Sequence, residues 1–353
     1  MTESPMTPAA IDLPGSASGP TRWSRYVALW DEREPATALA LLRIAIGCVM
    51  AYDLIYLVCL DLALPIFDDA MAYNLGFSSQ LSSQPWIRRL LGPGPLAIWV
   101  AVYGGIAAAL MFAAGFLTRL SGVLVLVTQV QIMALYMEGN RGIDQLLRLV
   151  VVALVFSRSH ETLSVDARLR HGRWARPSVL VPAWPRYMVI LQLLWLYTSA
   201  AISKDHYLWS ARGDYMALFY ILRYQHFVRW DMTWLPAWVT QFGCFTTYWF
   251  EALAPLMVIA CWRTRRDVSR TKRSTRAWWA YKRLWILIGV GLHTTLLVLM
   301  NIGIFTTGML ALYLCWVNPA LLARLPDRPW FAPLRFRPTE ATNAGEQAAM
   351  APA

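Results

Sequence analysis

The sequence predicts an all-α, polytopic integral membrane protein with about eight transmembrane helices. Of its 353 residues, 57% are apolar and only 15% are charged, whereas about 25% of an ordinary soluble chain is charged. Long apolar runs recur along the chain, and many of the 18 Trp and 15 Tyr lie close to their ends. The net charge is nevertheless +11, which fits either a membrane protein whose charge is concentrated in loops or a nucleic-acid binder whose basic residues form a face. This composition excludes a soluble enzyme, a disordered chain and a disulfide-stapled secreted module.

The apolar runs define the predicted spans, because a bilayer-crossing helix requires about 20 mostly apolar residues. Eight runs qualify as candidates: Ala38–Ala63, Leu96–Leu117, Leu120–Met137, Leu146–Phe156, Tyr187–Ile202, Leu235–Trp262, Leu284–Met300 and Ile302–Val317. The fourth and fifth are short and the last two meet at Asn301, so counts of seven to nine remain open. A further apolar segment, Tyr215–Tyr224, is too short to span and predicts an interfacial or re-entrant helix.

The Lys and Arg residues predict the orientation. With eight spans, about three quarters of them fall on the side of the N-terminal tail, and positive loops mark the cytoplasmic side. Both termini are therefore predicted to be cytoplasmic, with the chain in the inner (plasma) membrane. The densest cluster, residues 263–283 with Trp278 and Trp279, is either a plain topology signal or a contact with anionic lipid. Charge placed in loops in this way argues against nucleic acid as a partner.

Three regions follow from the pattern. Residues 1–36 are predicted to be a disordered cytoplasmic tail, residues 37–320 a transmembrane domain, and residues 321–353 a cytoplasmic C-terminal tail. No cleavable signal peptide is visible. The five Cys are scattered within apolar runs without a C-x-x-C pair, so neither a metal site nor a redox role is predicted.

Ionisable residues within the spans are the first candidates for function, since a charge at membrane depth is costly and is usually functional. Arg43 and Asp53 lie in the first span, and their side chains are expected to pair with groups on other helices. Structural ion-pairing and a functional role both remain open for them. Glu251 lies in mid-span and requires a proton or a partner. Arg148 and Arg43 are the candidate partners.

Lys204 ends the fifth predicted span, and two interpretations remain open for it. It is either a lysine that snorkels to the headgroups, or a partly desolvated amine that acts as a base. Asp205 and His206 follow it and either relay protons or cap the helix. His293, inside the seventh span, is either a hydrogen-bonded structural histidine or a catalytic group.

Four segments in order resemble the HTTM family of membrane proteins, which includes the vitamin K-dependent gamma-glutamyl carboxylases. These segments are Ala40–Gly47, the stretch from Asn140–Asp144 through Leu163–Asp166, Tyr197–Trp209, and His293–Phe305. The resemblance covers roughly residues 36–320.

The resemblance implies quinol-linked chemistry. In the carboxylases a membrane-embedded Lys deprotonates vitamin K hydroquinone, oxygenation yields a strong base that removes a glutamyl proton, and carbon dioxide is added. Lys204 stands where that Lys falls, and His293 matches a His of the carboxylase motif. A reduced quinone of the menaquinone or vitamin K type is therefore the expected cofactor, with the lipid bilayer and a secreted peptide or partner protein as expected partners.

The expected site comprises six residues: Lys204, His293 and Arg141 as catalytic groups, and Glu251, Asn301 and Phe305 around the cofactor. Lys204 is expected to act as the base, and His293 and Arg141 to polarise or position the substrate. Two departures from the carboxylases bear on this expectation. The turn at 140–144 has Arg141 but no His, and no counterpart of the large lumenal domain that holds their substrate is expected in this chain.

Two other classes of function therefore stay open. A non-enzymatic membrane chaperone or maturation factor would use the 203–234 loop to hold a secreted peptide. A transporter would line a path with the broken helices around Pro236, Pro255 and Asn301, although no inverted repeat is evident.

Overall fold

The computed structural model describes residues 21–68, 85–136, 139–266 and 272–325. Most of the predicted tails, at 1–20 and 326–353, and Glu138 of the predicted turn lie outside the described residues. The described residues are mostly helical, as the composition predicts. The α-helices are α1 Arg22–Trp30, α2 Thr37–Cys59, α3 Ala63–Phe67, α4 Trp86–Leu91, α5 Pro95–Ala114, α6 Thr118–Leu135, α7 Gly142–Phe156, α8 Val165–His171, α9 Trp184–Ile202, α10 Ala217–Ile221, α11 Ala237–Ala252, α12 Leu256–Arg266, α13 Arg273–Leu299, α14 Phe305–Leu312 and α15 Pro319–Leu322.

Short 3-10 helices and one small sheet complete the described elements. The 3-10 helices are Ser159–Glu161, Tyr207–Trp209, Ala211–Gly213 and Tyr313–Trp316. Strands β1 (Arg33–Pro35) and β2 (Leu180–Pro182) pair antiparallel, with Glu34 opposite Val181. The predicted interfacial segment contains only the five-residue helix α10.

Four helices of the described residues are long and apolar enough to cross a membrane, namely α2, α5, α6 and α13. The pair α11 and α12 adds a fifth span if the two are taken together, although they are bent by 60° at their break. Pro255, at this break, has no backbone N–H to continue the helical ladder. A polytopic, all-α membrane protein is thus compatible with the structure.

The prediction of eight spans is wrong by this measure. Helix α7 has only 15 residues and α14 only eight, continued by a 3-10 turn. Helix α9 has 19 residues and is long enough to cross a membrane. Arg186 and Gln192 lower its mean hydropathy, and it is not among the candidate spans. Apolar runs counted along the sequence did not separate these short or mixed helices from full-length spans.

The last part of the predicted N-terminal tail has defined structure. Residues 21–36 contain α1 and β1, and the carboxylate of Glu34 is buried against the Arg186 guanidinium at 2.6 Å. The partner of Glu34 lies 152 residues away in the chain. The polar composition of the tail therefore gave no indication of this ion pair.

Helices α2 and α5 approach each other through small residues. A Cβ atom added to Gly47 would lie 2.8 Å from the Cβ of Ala113 and 2.9 Å from the carbonyl oxygen of Ala109. Small residues at such crossings let helix backbones come close, which is the usual packing of membrane helices.

The outward surface of the bundle is apolar, with side chains such as Leu287 and Phe242 each 68% exposed, as a lipid-facing surface requires.

Contacts between distant segments define two ends of the helix bundle. At the first, the buried Arg43 guanidinium donates to the carbonyl oxygen of Ser159 at 2.6 Å and to that of Leu163. We call this the Arg43 end. At the other, the backbone N–H of Asn301 donates to the carbonyl oxygen of Phe227 at 2.8 Å, and Lys204 lies in the same region. We call this the Lys204 end.

Candidate functional site

A cavity of about 960 Å³ opens at the Lys204 end. Helices α9, α11 and α13, the start of α14 and the 207–221 segment form its walls. Most of the lining side chains are apolar, and many are aromatic, including Trp209, Trp249, Phe250 and Trp285. Mostly apolar cavities of this size that contain a few polar groups are typical of small-molecule sites.

Four of the six predicted site residues line this cavity: Lys204, Glu251, His293 and Phe305. They come from four separate segments of the chain. Lys204 follows the end of α9, Glu251 lies in the last turn of α11, His293 lies within α13, and Phe305 begins α14.

Lys204 and Glu251 form an ion pair on the cavity wall. The Lys204 side chain is 17% exposed and the Glu251 side chain 11%. The Lys204 ammonium also lies 5.0 Å from the centre of the Trp209 ring, within the range of a cation–π contact. The prediction that Arg148 or Arg43 partners Glu251 is therefore wrong.

The two arginines are engaged elsewhere. Arg43 binds backbone carbonyls at the opposite end of the bundle, and Arg148 donates to the Asn140 side-chain oxygen at 2.7 Å. Lys204 reaches Glu251 because α9 ends at Ile202, two residues before the lysine. The ion pair joins the segment after α9 to the end of α11 on the cavity wall.

His293 lies on the same cavity wall within a buried hydrogen-bonded chain. Its Nε2 atom is 2.7 Å from the Tyr197 hydroxyl, and that hydroxyl is 3.0 Å from the Tyr313 hydroxyl. His293 is 1% exposed. Its Nδ1 atom is buried and has no hydrogen-bond partner among the described residues. A buried polar atom without a partner is costly, so this nitrogen is a candidate contact for a ligand.

Aromatic rings hold Tyr197 in place. The ring of Phe250 packs edge-on against it at 4.9 Å between centroids, and the ring of Trp285 does so at 5.4 Å. Gly289 makes room for Tyr313, since an added Cβ atom at Gly289 would lie only 1.8 Å from the Tyr313 hydroxyl. The glycine is required here by close packing rather than by an unusual backbone angle.

The segment after α13 contributes Phe305 to the cavity but not Asn301. The ring of Phe305 is 5.8 Å from that of His293, whereas the Asn301 side chain is exposed and does not line the cavity. Asn301 acts through its backbone, which binds Phe227. Gly303 adopts a φ of +60° in this break, and an added Cβ atom there would lie 2.9 Å from the Arg141 guanidinium.

The loop after Lys204 covers part of the cavity. Its Arg229 donates to the carbonyl oxygen of Met300 at 3.0 Å, and its Trp230 indole donates to that of Val298 at 2.9 Å. His206 accepts a hydrogen bond from the backbone of Leu208, so it caps a 3-10 turn. This cap belongs to the turn after His206, whereas α9, the helix that the sequence expected it to cap, ends with Ser203 as its C-cap.

Arg141 lies outside the large cavity. Its guanidinium binds Asp53 at 2.6 Å and Asp144 at 2.9 Å, beside a smaller cavity of about 200 Å³. Burial alone would lower the pKa of Arg141, but hydrogen bonds to the two carboxylates outweigh it and hold the pKa above its usual value. Arg141 is thus a fixed cation that joins α2 to the start of α7.

Sequence reasoning missed two residues of the site, Tyr197 and Tyr313. Tyr197 belongs to a segment that the sequence singled out, but its hydrogen-bond partners lie 96 and 116 residues further along the chain. No local pattern marks such a contact. The spacing offers a weak signal, because residues seven apart, such as Tyr197 and Lys204, would share one face of a continuous helix, although α9 ends at Ile202.

Comparison with protein-family models, with curated proteins and with solved structures finds no match to this chain.

Proposed function

We propose that this chain is an integral membrane protein of the HTTM type, related to the vitamin K-dependent gamma-glutamyl carboxylases, that binds a reduced quinone beside Lys204. One observation carries the proposal. The large apolar cavity has an ion pair, Lys204 with Glu251, and a partly unpaired histidine, His293, on its wall.

The residues present fit a quinone of the menaquinone or vitamin K type. Such a molecule combines a flat ring, polar oxygens and a long apolar tail. The aromatic lining of the cavity suits the ring, and His293, whose buried Nδ1 atom has no partner among the described residues, lines the same cavity as the candidate contact for one oxygen. When bound, a reduced quinone supplies ring hydroxyls as a proton source and two electrons as a reductant.

Lys204 acts as the base in this proposal, together with Glu251. Transfer of one proton from Lys204 Nζ to Glu251 Oε2 turns the ion pair into a neutral amine and a neutral acid. Low-dielectric surroundings favour this neutral pair over separated charges. The amine then accepts a proton from a hydroxyl group in the cavity. His293, oriented by Tyr197, positions that hydroxyl.

Access from the lipid supports a membrane-dissolved ligand. Several cavity-lining side chains also belong to the exposed apolar surface, among them Phe242 at 68% and Leu284 at 58%. A ligand that partitions into the bilayer therefore meets the cavity wall directly. In the proposed topology both termini are cytoplasmic and the Lys204 end faces the opposite side of the inner membrane, in agreement with the distribution of Lys and Arg.

The test uses purified full-length protein in lipid nanodiscs with reduced menaquinone. Binding is followed by quenching of tryptophan fluorescence, and conversion to the epoxide is followed by chromatography in air-saturated buffer, because dioxygen supplies the epoxide oxygen and acts as the oxidant. We expect Lys204→Ala to abolish conversion while retaining binding within about ten-fold, because the aromatic walls remain. The matched control Lys272→Ala removes an exposed lysine at the Arg43 end and is expected to behave as the wild type.

Equal background conversion in the wild type, in Lys204→Ala and in protein-free discs would contradict the enzymatic part of the proposal. Absence of saturable binding to the wild type would contradict the quinone site as a whole.

A second candidate function is supported by the loop above the cavity. Its aromatic side chains are strongly exposed, with Trp234 at 72%, Trp230 at 60% and Tyr224 at 55%. Exposed aromatic residues on an anchored loop suit the binding of an extended peptide. We infer on this ground the alternative of a non-enzymatic maturation factor or chaperone for a secreted peptide.

The two candidates make opposite predictions in cells. A maturation factor retains function in Lys204→Ala and loses it when residues 210–232 are deleted. An enzyme loses function in Lys204→Ala, while Lys272→Ala again serves as the matched control. Protein levels in the membrane are measured for each variant, so that a loss of folding is separated from a loss of function.

A further inference from the structure

The first turns of α13 carry a row of positive side chains at the Arg43 end of the bundle. We call Arg276, Trp279, Lys282 and Arg283 the basic stripe. They follow one another at helical spacings and lie on one broad face of the helix. The cations of Lys282 and Arg283 lie 5.6 Å and 6.0 Å from the centre of the Trp279 ring, so the stripe is a compact patch around one indole.

The outward face of α13 changes character directly after the basic stripe. Leu284 is 58% exposed, Leu287 68% and Val298 54%, so the surface is apolar from residue 284 onward. The helix has 27 residues and is therefore about 40 Å long at 1.5 Å per residue. Since the hydrocarbon core is about 30 Å thick, the first turns extend beyond it. The basic stripe thus lies at headgroup depth.

The charge of the basic stripe is not neutralised by the described part of the chain. The sequence has no Asp or Glu between residues 267 and 327. Three glutamates at the Arg43 end are engaged by other groups: Glu32 by Arg265, Glu34 by Arg186, and Glu161 by Arg158 and Arg176. Among the described residues, no carboxylate forms an ion pair with Arg276, Lys282 or Arg283.

We propose that the basic stripe binds the phosphate-bearing headgroups of anionic phospholipids in the adjoining leaflet. The three cations supply the charge, and the Trp279 ring belongs at the level where tryptophan is enriched in membrane proteins. Each Lys or Arg near an anionic leaflet contributes about five-fold in association. This inference is independent of the quinone proposal, because it involves neither the cavity nor the Lys204 end.

The test measures lipid selectivity of the full chain in mixed phosphatidylcholine and phosphatidylglycerol vesicles. Spin-labelled phosphatidylglycerol and spin-labelled phosphatidylcholine report which lipid is retained next to the protein. We expect the wild type to favour the anionic label. In the triple variant Arg276→Gln, Lys282→Gln, Arg283→Gln, the preference is expected to fall by about five-fold or more, since at least one effective cation is lost.

A matched control removes the same charge from the same end of the bundle. It replaces three exposed arginines, Arg119, Arg173 and Arg324, by Gln, and we expect it to retain the preference. The charge-conserving variant Arg276→Lys, Arg283→Lys is also expected to retain it. Single Gln variants of the stripe provide the comparison if the triple variant does not fold.

Three outcomes would overturn the proposal. The first is an unchanged preference in the triple variant. The second is an equal loss in the control, because bulk charge rather than the basic stripe would then set the preference. The third is displacement of the anionic label by added inorganic phosphate, which would indicate a site for a free anion instead of a lipid surface.

Discussion

The ammonium group of Lys204 and the carboxylate of Glu251, 47 residues apart in the chain, form an ion pair on the wall of the 960 Å³ cavity. Neither side chain follows the simplest expectation for its position. Lys204 does not extend to the headgroups as a free snorkelling lysine, and Glu251 does not pair with an arginine. The pair instead places one exchangeable proton between two groups that line the cavity.

Breaking this pair is expected to destabilise the protein more than removing both charges. Lys204→Met leaves Glu251 as a lone, mostly buried carboxylate, which costs about 3 kcal/mol, the lower end of the range for buried pairs, since the lysine side chain retains 17% exposure. The double variant Lys204→Met, Glu251→Gln removes both charges and is expected to recover most of that loss. The measurement is the unfolding midpoint of purified protein in detergent. Additive effects of the two single substitutions would contradict a direct coupling.

The hydrogen-bonded chain at His293 gives a second prediction. Tyr197→Phe removes the hydroxyl that binds both His293 and Tyr313 and preserves the aromatic packing. The expected cost is about 1 kcal/mol of stability, with a change in the nitrogen NMR signals of the His293 imidazole. Tyr313→Phe is the control, because it leaves the contact between Tyr197 and His293 in place. If the imidazole signals respond equally to both variants, Tyr197 is not the residue that orients His293.

The sequence was sufficient to predict the helical membrane class and the location of the first three long helices. The runs at 38–63, 96–117 and 120–137 correspond to α2, α5 and α6, because a continuous apolar run is a strong local signal. It was also sufficient to select Lys204 and His293, which line one cavity. Ionisable residues in apolar segments are rare, so few candidates compete with them.

What the sequence could not provide was pairing between distant segments. Glu251 was matched to Arg148 or Arg43 because those arginines also lie in apolar runs, but helix packing places each of them elsewhere. Arg141 was placed with the catalytic groups, whereas Asp53 and Asp144 hold it apart from the cavity. The count of eight spans failed for a related reason, since hydropathy alone does not show where a helix bends or shortens.

The crossing of α2 and α5 is expected to tolerate no side chain at Gly47. Gly47→Ala places a methyl group 2.8 Å from the Cβ of Ala113, so the helices must separate, at a cost of about 1–3 kcal/mol. Gly291→Ala is the matched control, since an added Cβ atom there meets nothing within 4 Å and alanine favours helix. Unfolding midpoints of the two variants are compared. An equal midpoint for both would show that the close approach does not contribute to stability.

The Arg43 end is expected to lose stability in acid because of Asp166. Its carboxylate accepts hydrogen bonds from the Thr118 hydroxyl at 2.7 Å, from the Thr118 N–H at 2.9 Å and from the Leu117 N–H at 2.9 Å. Burial alone would raise the pKa of Asp166, but these hydrogen bonds outweigh it and lower the pKa below its ordinary value of 3.8. The folded protein therefore binds this proton less readily than the unfolded chain does.

The stability that the Asp166 carboxylate contributes is therefore fully present when the pH is above its ordinary pKa of 3.8. That stability is lost as the pH falls through the lower pKa of the folded state. Asp166→Asn is expected to lower the unfolding midpoint at neutral pH and to flatten its decline below about pH 4. The two proteins are compared by thermal unfolding in detergent across the acid range. The backbone at Leu117, whose φ is +46° and whose N–H donates to Asp166 Oδ1 at 2.9 Å, is expected to be more susceptible to proteolysis in the variant, because an uncharged side chain is the weaker acceptor. A variant whose midpoint declines in acid as steeply as that of the wild type would exclude Asp166 as the group responsible.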